Sequence, residues 1–481
     1  MIAGDYTERT RRLKSGKVVV DKIVRSTTGV EYLVGKRLGA GGVARVFRAR
    51  RLSDKKDCVF KEYVPTPETR RMHNAIKRNI QKLMALPLLE DDGVTPLRAF
   101  VGPMDKDSLI CLSASNSFGY MMELVDTKVF LPVPKLWHAD KYPDADVLCT
   151  ACINIATFFR KVHFRGWCYK DINEGNIYIN NKTGDIRIID CDNISVQSTK
   201  TIKGTDGFMA PEVYVTSTPD TYTDYFSMAV LFYRLFVGGY PMDGKKTRRY
   251  LLSNNLSIQE AASTIYGTMA LFAFDPKDRS NEIRGLKDSL NPMMYDIQVR
   301  KWDRLPPRLQ QGFVKTFSMG LSDVNRHKRA TDRDWINIFE ALKSGGLVRC
   351  KCGRVNFGDA RQSGECIFCK AKLPMLFSEL TTATFRVHRD IAPVRLNIVA
   401  KRRQRLPGGA IYRGLKDGWM RIEYSPKLNK LSAVNLSGHE WFILDNGSRK
   451  TCPSGGRVIL KKGLVITVLR RQLQFTVTDI A

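Results

Sequence analysis

Apolar and polar residues alternate with a period of two near the start of the chain, which is typical of β-strands. Three such runs, EYLVGKRLGAGG, ARVFRARR and DCVFKEYV, follow one another from residue 31 and are separated by turn residues. Residues 65–84 instead place apolar side chains at helical spacing, and two further strand-like segments lie at 108–113 and 119–125. The pattern therefore predicts a β-rich part that contains one helix, preceded by a loose, polar and basic arm at 1–30.

Helical periodicity dominates after residue 131. The predicted helices are 144–163, 222–238, 258–272, 306–321 and 332–343. From residue 376 the pattern returns to short strands separated by Gly, Asn and Ser turns, which predicts a small β-sandwich. The predicted fold class is therefore α+β, with a β-rich part, a larger α-rich part and a second β-rich unit.

Composition excludes a disordered or collagenous chain. Of the 481 residues, 43% are hydrophobic and 26% are charged, a balance that supports packed cores. The 78 Lys and Arg residues outnumber 48 Asp and Glu residues, so the formal net charge is +30. This charge suits a nucleic-acid binder, a membrane-surface protein or a binder of acidic partners equally well. Residues 350–481 carry 24 Lys and Arg against 9 Asp and Glu, so half of the excess lies in that compositionally different unit.

No segment is expected to be secretory or to cross a membrane. The first residues, MIAGDYTERTRRLKSGK, lack an apolar signal core. The longest apolar stretches, 147–159 and 226–240, are shorter than the roughly 18 residues that a span needs. The 11 cysteines are an odd number with one tight cluster at 350–369, which is typical of a reducing compartment and a metal site. We therefore expect a cytoplasmic protein.

A glycine-rich turn lies between the first two strand-like runs. Gly39, Gly41 and Gly42 lack a Cβ atom, so their backbone N–H groups can approach a phosphate, although such glycines more often serve an ordinary hairpin turn. Lys61 follows on a strand between apolar residues, where a buried ammonium needs an anionic partner. The alternative is a lysine whose charged end reaches solvent from the end of the strand.

The segment GWCYKDINEGNIYINNKTGDIRIIDCD, residues 166–192, carries the most chemistry. Asp171 is followed five residues later by Asn176, then by a short apolar strand, a turn and a second apolar strand that ends in Asp190. This hairpin presents several oxygen ligands at one edge, and Mg²⁺ prefers carboxylate and amide oxygens together with phosphates. Asx turns that cap a hairpin explain one of these residues but not all of them at this spacing.

These segments resemble the eukaryotic-type (Hanks-type) protein kinase superfamily, whose motifs occur in the same order over residues 31–345. Residues 39–46 resemble the glycine-rich loop, and YKDINEGN at 169–176 resembles the catalytic loop H-R-D-x-x-x-x-N. DCD at 190–192 stands where kinases have D-F-G, and APE at 210–212 matches A-P-E. DYFSMA at 224–229 resembles D-x-W-S-x-G. The I-D-x-D form with D-x-N-x-x-N resembles a bacterial subset of these proteins. The resemblance implies a bilobal kinase fold.

The resemblance also implies a role for each matched residue. The nucleotide would be held by Lys61, by the backbone around Gly39, Gly41, Gly42 and Val46, and by the hinge backbone of Glu123 and Val125, with Met122 as gatekeeper. Asn176 and Asp190 would bind Mg²⁺, Asp171 would accept or orient the proton of the attacking hydroxyl, and Lys170 would meet an activation-segment phosphate. Glu212 would pair with Arg329, and Asp224 would open the buried helix. Thr205, Thr201, Ser198 and Thr199 are candidate phosphorylation sites, for each of which ordinary loop polarity is the alternative.

Four departures from the kinase pattern bear on activity. The His and Arg of H-R-D are Tyr169 and Lys170, the lysine two residues after the catalytic Asp is Asn173, the D-F-G glycine is Asp192, and the helix after Lys61 offers Asn79 and Gln81, with Glu68 too early, in place of a glutamate. The Lys–Glu pair that organises a kinase active site is therefore missing from the sequence.

Two close cysteine pairs lie beyond the kinase-like region. Cys350 and Cys352 precede Cys366 and Cys369, and four thiolates at this spacing suit a structural, tetrahedral Zn²⁺ site similar to a zinc ribbon. Two disulfides are the alternative interpretation. The following β-rich tail resembles forkhead-associated domains, which bind phosphothreonine, over 435–466, and a degenerate docking module is the alternative. A basic run at 401–405 suits a solvated loop or, less often, an anion, RNA or acidic-peptide site.

The predicted domains are a basic arm at 1–30, a kinase N-lobe with hinge at 31–128, a kinase C-lobe at 129–345, a zinc ribbon at 346–375 and a basic β-sandwich at 376–481. The first functional hypothesis is an ATP- and Mg²⁺-dependent kinase that phosphorylates Ser or Thr hydroxyls of proteins, its own chain included. The second is a pseudokinase scaffold that binds nucleotide and signals by binding. We expect an acidic or phosphorylated partner at 350–481, with nucleic acid as the secondary possibility.

Overall fold

The computed structural model describes residues 6–12, 15, 18–41, 44–66, 70–84, 99–103, 108–113, 115–138, 140–196, 204–215, 218–287, 293–357, 365–371, 373, 380–387, 394–399, 404–405, 418–425, 430–468 and 473–480. The chain forms two compact units. The first comprises Met1–Trp302 and Gln310–Phe339, and the second comprises Asp303–Leu309 and Glu340–Ala481. The finer division into two lobes, a ribbon and a sandwich stays a prediction.

The first unit begins with a seven-stranded antiparallel sheet in the order β1-β2-β3-β4-β5-β7-β6. Its strands are β1 Thr7–Arg12, β2 Val18–Arg25, β3 Glu31–Ala40, β4 Ala44–Arg51, β5 Asp57–Tyr63, β6 Leu109–Leu112 and β7 Ser117–Glu123. Helix α1, Arg70–Met84, packs Ile80 and Met84 into the same buried cluster as Phe118 and Tyr120 of β7. The period-two pattern thus gives a sheet with one helix against it.

The described part of 1–30 differs from the loose arm that its composition predicts. It forms β1 and β2, which pair antiparallel with each other, and β2 also pairs with β3. The physical reason is that β2 carries Ile23 and Val24, both buried, so this segment has apolar surface to bury despite its basic neighbours. An ion pair between Arg11 and Asp21 joins the two strands.

The rest of the first unit is mainly helical. The helices that follow α1 are α2 Ala145–Phe164, α3 Pro211–Val215, α4 Thr221–Phe236, α5 Lys245–Ser253, α6 Ile258–Ser263, α7 Met294–Asp303, α8 Pro307–Val314 and α9 Asp332–Gly345, the last of which continues into the second unit. Short strands β8 Leu131–Pro132, β10 Ile177–Ile179 and β11 Ile186–Ile188 form one small sheet, and β9 Trp167–Cys168 pairs with β12 Ser195–Val196.

Helix α4 is the central element of this helical part. The side chain of Asp220 accepts hydrogen bonds from the backbone N–H groups of Tyr222 and Thr223 and so caps its first turn. Nearly all of its residues are buried, and Phe232 and Tyr233 contact a group of aromatic rings that includes Phe313, Trp335 and Phe339. Burial among these rings explains why the run 226–240 is apolar.

Two predicted helices are shorter than their sequence pattern. Helix α6 ends at Ser263 and a π-helical turn follows at Thr264–Thr268, and α8 is followed in the same way by Lys315–Met319. The wider π turn keeps apolar residues such as Phe317 buried while it breaks the α-helical period. Among the described residues, one helix, α2, is long and apolar enough to cross a membrane, and half of its apolar window is buried inside the protein.

The second unit contains a two-stranded hairpin and two larger sheets. The hairpin pairs β13 Leu347–Arg349 with β14 Val355–Phe357. The strands of the larger sheets are β15 Leu380–Val387, β16 Val394–Val399, β17 Gln404–Arg405, β18 Met420–Ser425, β19 Lys430–Asn435, β20 Trp441–Asp445, β21 Ser448–Cys452, β22 Arg457–Ile459, β23 Val465–Val468 and β24 Leu473–Ile480. Six of them form the sheet β16-β15-β24-β23-β20-β21, and four form β17-β18-β19-β22.

The two larger sheets share one buried core. Trp419 and Trp441 lie within it with their rings 5.7 Å apart, together with Met420, Ile422 and Ile466. The sequence predicts most of these strands but misses the two-residue β17 and the longer β19 and β21. The signal of β19 and β21 is weak for one shared reason. Both are rich in polar residues, KLSAVN and SRKTC, so their period-two signal is weak.

Candidate active site

Lys61 lies on β5, a central strand of the first sheet. The strand register places it beside Val46 of β4 and Tyr120 of β7. A Cβ atom on Gly119 would lie 2.3 Å from the carbonyl oxygen of Lys61, so the absence of a side chain at 119 lets β7 approach β5 this closely. The Lys61 side chain is only 8% exposed, so its ammonium must be compensated inside the protein.

Two carboxylates compensate that ammonium. Lys61 Nζ donates to Asp190 Oδ1 at 2.8 Å, and to Asp192 Oδ1 and Oδ2 at 2.9 and 3.1 Å. The hydroxyl of Tyr63 donates to Oδ2 of the same Asp192 carboxylate, and the hydroxyl of Tyr120 donates to its Oδ1 at 3.0 Å. Burial by itself would lower the pKa of Lys61, but the charges of Asp192 and Asp190 raise that pKa well above its usual value. These ion pairs therefore favour the protonated form of Lys61.

Helix α1 reaches the same segment through a neutral group. Asn79 Nδ2 donates to the backbone carbonyl oxygens of Asp192 and Ile194, each at 2.8 Å. The helix thus holds the backbone on either side of residue 193 in place but supplies no charge to Lys61.

The side chain of Asp171 lies at the end of a loop that is folded by its own asparagines. Asn173 Oδ1 accepts from the backbone N–H groups of Gly175 and Asn176, and Asn176 Nδ2 donates to Asp171 Oδ2 at 3.2 Å. Thr205 donates its hydroxyl and its backbone N–H to Asp171 Oδ1, at 2.8 and 3.0 Å. Burial raises the pKa of Asp171, while the bonds from Thr205 act in the opposite direction.

A buried aspartate fixes the start of this loop. Asp224, at the N-terminal end of α4, accepts from the backbone N–H groups of Tyr169 and Lys170 at 2.6 and 2.9 Å. His163 of α2 bridges Asp224 and Asp332, with 3.1 Å from each ring nitrogen to a carboxylate oxygen. Burial disfavours a charged imidazole, but the two carboxylates raise the pKa of His163 to about 9.

Two residues of the site have left-handed backbone conformations. Lys170 has φ 72° and Asp190 has φ 56°, a region that residues with a Cβ atom rarely adopt. The contacts just described hold both residues there: Asp224 binds the Lys170 N–H, and Lys61 binds the Asp190 side chain. Such strain is found at active sites that are held in place by their surroundings. Burial lowers the pKa of Lys170.

Two arginine–glutamate ion pairs stabilise the segments around the site. Arg329 binds Glu212 in bidentate fashion at 2.7 and 2.8 Å, and both side chains are almost fully buried. Arg234 binds Glu174 of the catalytic loop in the same way, and its guanidinium lies over the rings of Trp137 and Tyr240. The first pair joins two residues that the sequence analysis pairs, and the second was not predicted.

The glycine-rich hairpin and the hinge border an apolar cluster. Gly39 pairs with Val46 across the β3–β4 hairpin, and the backbone N–H of Gly41 donates to the carbonyl of Ala44 at 2.9 Å. No atom lies within 4 Å of a Cβ built on Gly39 or Gly41, so their backbone faces open space. The cluster beneath them contains Ala44, Val46, Val59, Met122, Val125 and Ile189. Glu123 is exposed at the end of β7.

Four of the predicted site residues lie outside the described residues. They are Gly42, Ser198, Thr199 and Thr201. Glu68, which the sequence analysis weighed as a partner for Lys61, also lies outside them. Thr205 is described, and its hydroxyl is engaged by Asp171.

The residues that sequence reasoning missed are the partners of the predicted ones. They are Asp192 as a ligand of Lys61, Tyr63, Tyr120, Asn79 as a backbone anchor, His163 and Asp332. A signal for two of them exists, because Tyr63 stands two residues after Lys61 on one strand face and Tyr120 is its neighbour across the sheet. Cys191, between the two aspartates, is buried and donates to the carbonyl of Ile188 at 3.1 Å, and burial raises its pKa.

The four cysteines of the second unit converge. The sulfur atoms of Cys350, Cys352, Cys366 and Cys369 all lie within 4.8 Å of one another. The closest pairs are 3.6 and 3.8 Å apart, and all four are free thiols rather than the disulfides that the sequence left open. Gly353, with φ 87°, turns the first pair, and Asn356 ties the second by accepting from the Ile367 N–H and donating to Cys366 Sγ. This donor set is compatible with Zn²⁺.

The chain is similar to known protein kinases. The family profile of the protein kinase domain matches residues 32–331. Among curated proteins, cGMP-dependent protein kinase 2 of Mus musculus is 31% identical over 205 residues, which is 41% of this chain and 22% of the mouse protein. The Rattus norvegicus and Homo sapiens proteins of the same name are 31% and 25% identical over the same length. The aligned segment thus spans less than a quarter of these relatives.

Proposed function

The chain belongs to the protein kinase family, and from this premise we propose that it transfers the γ-phosphate of ATP, with Mg²⁺, to Ser or Thr hydroxyls of protein substrates, its own chain included. The observation that carries the proposal is the connected set Lys61–Asp190 and Asp171–Asn176. The backbone bond from the Ile189 N–H to the carbonyl of Asn176 joins its two halves. A protein kinase domain implies the use of ATP and Mg²⁺.

The residues fit a metal ion next to a nucleotide phosphate. Asp190 has a side chain that is 38% exposed, whereas Asp192 is 6% exposed and both of its oxygens accept hydrogen bonds from Lys61 and the two tyrosines. Asn176 donates through Nδ2, so its Oδ1 is the atom available to a metal. Asp190 and Asn176 would hold Mg²⁺, which neutralises charge on the phosphates when bound.

The remaining residues position the reacting groups. Lys61 supplies a cation for the phosphates, because its partners raise its pKa. The backbone of Gly39 and Gly41 approaches the phosphates without a Cβ atom in the way. Asp171 receives or orients the proton of the attacking hydroxyl, and its raised pKa brings it closer to the range of a working base. Most of the rate enhancement then comes from positioning and from electrostatic stabilisation.

The test is transfer of labelled γ-phosphate from ATP and Mg²⁺ to the protein itself and to a generic basic protein. Asp171→Asn is the inactive variant, and Asp185→Asn is the matched control on an exposed turn. We expect transfer by the wild type and by the control only. Nucleotide binding without Asp171-dependent transfer would establish the pseudokinase scaffold instead.

Two departures favour a pseudokinase: the absent helix glutamate and the altered D-F-G. The contacts of Lys61 bear on the first of them. They weaken that argument, because a carboxylate from another element already pairs with Lys61. The lysine that is replaced by Asn173 is a separate matter. The amide of Asn173 is used within the loop, so it does not substitute for the missing cation.

We also propose that the four cysteines of the second unit hold a structural Zn²⁺. Four thiolates complete a tetrahedral site, so no open position is left for catalysis. Elemental analysis of the purified protein is expected to find one zinc per chain, and replacement of Cys366 and Cys369 by Ser should abolish it. A full metal content in that variant would refute the assignment.

The basic β-rich tail suits a docking role for an acidic or phosphorylated partner in the cytoplasm. Arg449, Lys450, Arg457, Lys461 and Lys462 are exposed. The likeness to forkhead-associated domains makes a phosphothreonine peptide the first ligand to try. Binding to that peptide, and not to its unphosphorylated form or to generic RNA, would support this role; strongly salt-dependent RNA binding would favour nucleic acid.

A further inference from the structure

We propose that Asp192 is the positioning residue for Lys61, and that it replaces the helix glutamate that is absent from α1. The proposal rests on the proposed function, because the position of Lys61 matters for catalysis only where Lys61 holds the phosphates of ATP. It assigns a role to the acidic residue that stands in place of the D-F-G glycine.

The first support is the number of donors that converge on Asp192. Its Oδ1 accepts from Lys61 and Tyr120, and its Oδ2 accepts from Lys61 and Tyr63. All four side chains are buried. A buried carboxylate is stable only when it is paired and hydrogen-bonded, and this one has a cation and two hydroxyls. The geometry therefore fixes the orientation of Asp192.

The second support is the difference between the two aspartates that contact Lys61. Asp190 is more than a third exposed and is the carboxylate that would turn toward a metal ion, whereas Asp192 is enclosed. Both oxygens of Asp192 contact Lys61, so Asp190 would be available to a metal ion while Asp192 served Lys61. Lys61 would therefore keep a carboxylate partner before and after nucleotide binding.

The third support is what helix α1 contributes. Its sequence, RRMHNAIKRNIQKLM, contains no acidic residue over its described length. Instead, Asn79 binds the carbonyls of Asp192 and Ile194, which fixes the backbone that carries the replacement carboxylate. Lys61 thus has its buried carboxylate partner in the tripeptide 190–192, and helix α1 supplies the backbone anchor of that partner.

The experiment compares Asp192→Asn with the wild type, with Asp192→Glu and with the matched control Asp57→Asn. Asp57 is on the same strand as Lys61 and pairs with Arg48 and Arg50 at the surface. The first readout is the acylation rate of Lys61 by a small amine-reactive reagent as a function of pH, followed by peptide mass spectrometry. Only the neutral amine reacts, so the rate at a given pH reports how firmly the ammonium is held.

We expect Asp192→Asn to shift the Lys61 labelling profile to lower pH, so that labelling at a fixed pH is at least about tenfold faster. The second readout is steady-state phosphate transfer, for which kcat/KM for ATP should fall by at least about tenfold. Asp192→Glu should restore most of both values, and Asp57→Asn should leave both unchanged. A wild-type labelling profile in Asp192→Asn, or a kcat/KM within about twofold of wild type, overturns the proposal.

Two further measurements keep the result interpretable. If Asp192→Asn does not fold, Asn79→Leu is measured, since it removes the backbone anchor of Asp192 at a half-buried helical position. A smaller change of the same sign is then expected, and no change overturns the proposal. If the wild type transfers no phosphate, the proposed function fails, but the labelling profile still decides whether Asp192 controls Lys61.

Discussion

The protein encloses a cation between two carboxylates at two separate places in its first unit. In the candidate active site, Lys61 lies between Asp190 and Asp192. On helix α2, His163 lies between Asp224 and Asp332. The geometry is alike, but the cations differ. The pKa of Lys61 is raised well above its usual value, whereas the pKa of His163 rises only to about 9.

The difference shows how one arrangement serves two purposes. A lysine whose pKa is raised by two carboxylates suits a site that attracts phosphates. His163 of α2 contacts Asp224 of α4 and Asp332 of α9, and so joins the three helices. Both ring nitrogens donate to these carboxylates only while the imidazole is protonated. The ion pairs of Lys61 are therefore expected to persist across the working pH range. The ion pairs of His163 are complete only below the pKa of His163.

The largest effect is expected from removal of the lysine cation. Lys61→Met leaves Asp192 buried without its countercharge, and breaking a buried pair in this way costs about 3–5 kcal/mol of unfolding free energy. Phosphate transfer should fall by about 10²–10³-fold, because a charge that stabilises the transferred group is lost. Denaturant unfolding and a transfer assay measure the two effects. The exposed Lys56→Met is the control, and an equal loss there would show that the effect is not specific to the site.

The histidine cluster is broken by His163→Asn. The variant removes the cation and leaves Asp224 and Asp332 facing each other, so a loss of about 3 kcal/mol in unfolding free energy is expected at pH 7. Because Asp224 binds the backbone of Tyr169 and Lys170, transfer activity should fall as well. Urea unfolding and the transfer assay test this, with the exposed His138→Asn as control. Unchanged stability would mean that the bridge contributes nothing.

A pH series separates the two clusters without changing their geometry. The pKa of His163 is raised from 6.5 to about 9, so its contribution to stability is complete below about pH 6.5 and is lost as the pH rises through about 9. The loss amounts to about 3 kcal/mol. The difference in unfolding free energy between wild type and His163→Asn should shrink over this range, whereas the difference for Lys61→Met should stay constant. A constant difference for both variants would contradict the assignment.

The smallest effect concerns the spacing of the strands around Lys61. In Gly119→Ala the added Cβ meets the carbonyl oxygen of Lys61 and the ring of Phe60, so β5 and β7 must separate slightly. A loss of about 1–3 kcal/mol is expected from such overpacking. Thermal unfolding measures this loss of stability. Gly353→Ala does not serve as a control, because Gly353 has a positive φ that would itself strain an alanine. Gly41→Ala, with open space around it, should cost less.

Sequence reasoning found the residues whose chemistry is tied to a local spacing. Asp171, Asn176 and Asp190 lie within one hairpin, and their separations along the chain already indicate a shared edge. The kinase order of the motifs gave the β-rich and α-rich parts in the observed sequence. Local spacing is preserved by folding, so these predictions needed no tertiary information.

The partners could not be found in this way, because they are distant in the chain. Asp192 is 131 residues from Lys61, and Asp332 is 169 residues from His163. The N-terminal hairpin was missed for a different reason: its basic composition concealed the few apolar residues of β2 that become buried. Composition averages over a segment, whereas burial is decided residue by residue.

The position of Cys191 has a consequence for chemical probes. Cys191 stands between Asp190 and Asp192 in sequence, yet its side chain is fully enclosed, and burial raises the pKa of its thiol, which favours the protonated form. A thiol that is both protonated and shielded reacts slowly with electrophiles and oxidants. Cysteine-directed reagents will therefore modify the exposed Cys111 on the outer strand of the sheet well before they modify Cys191.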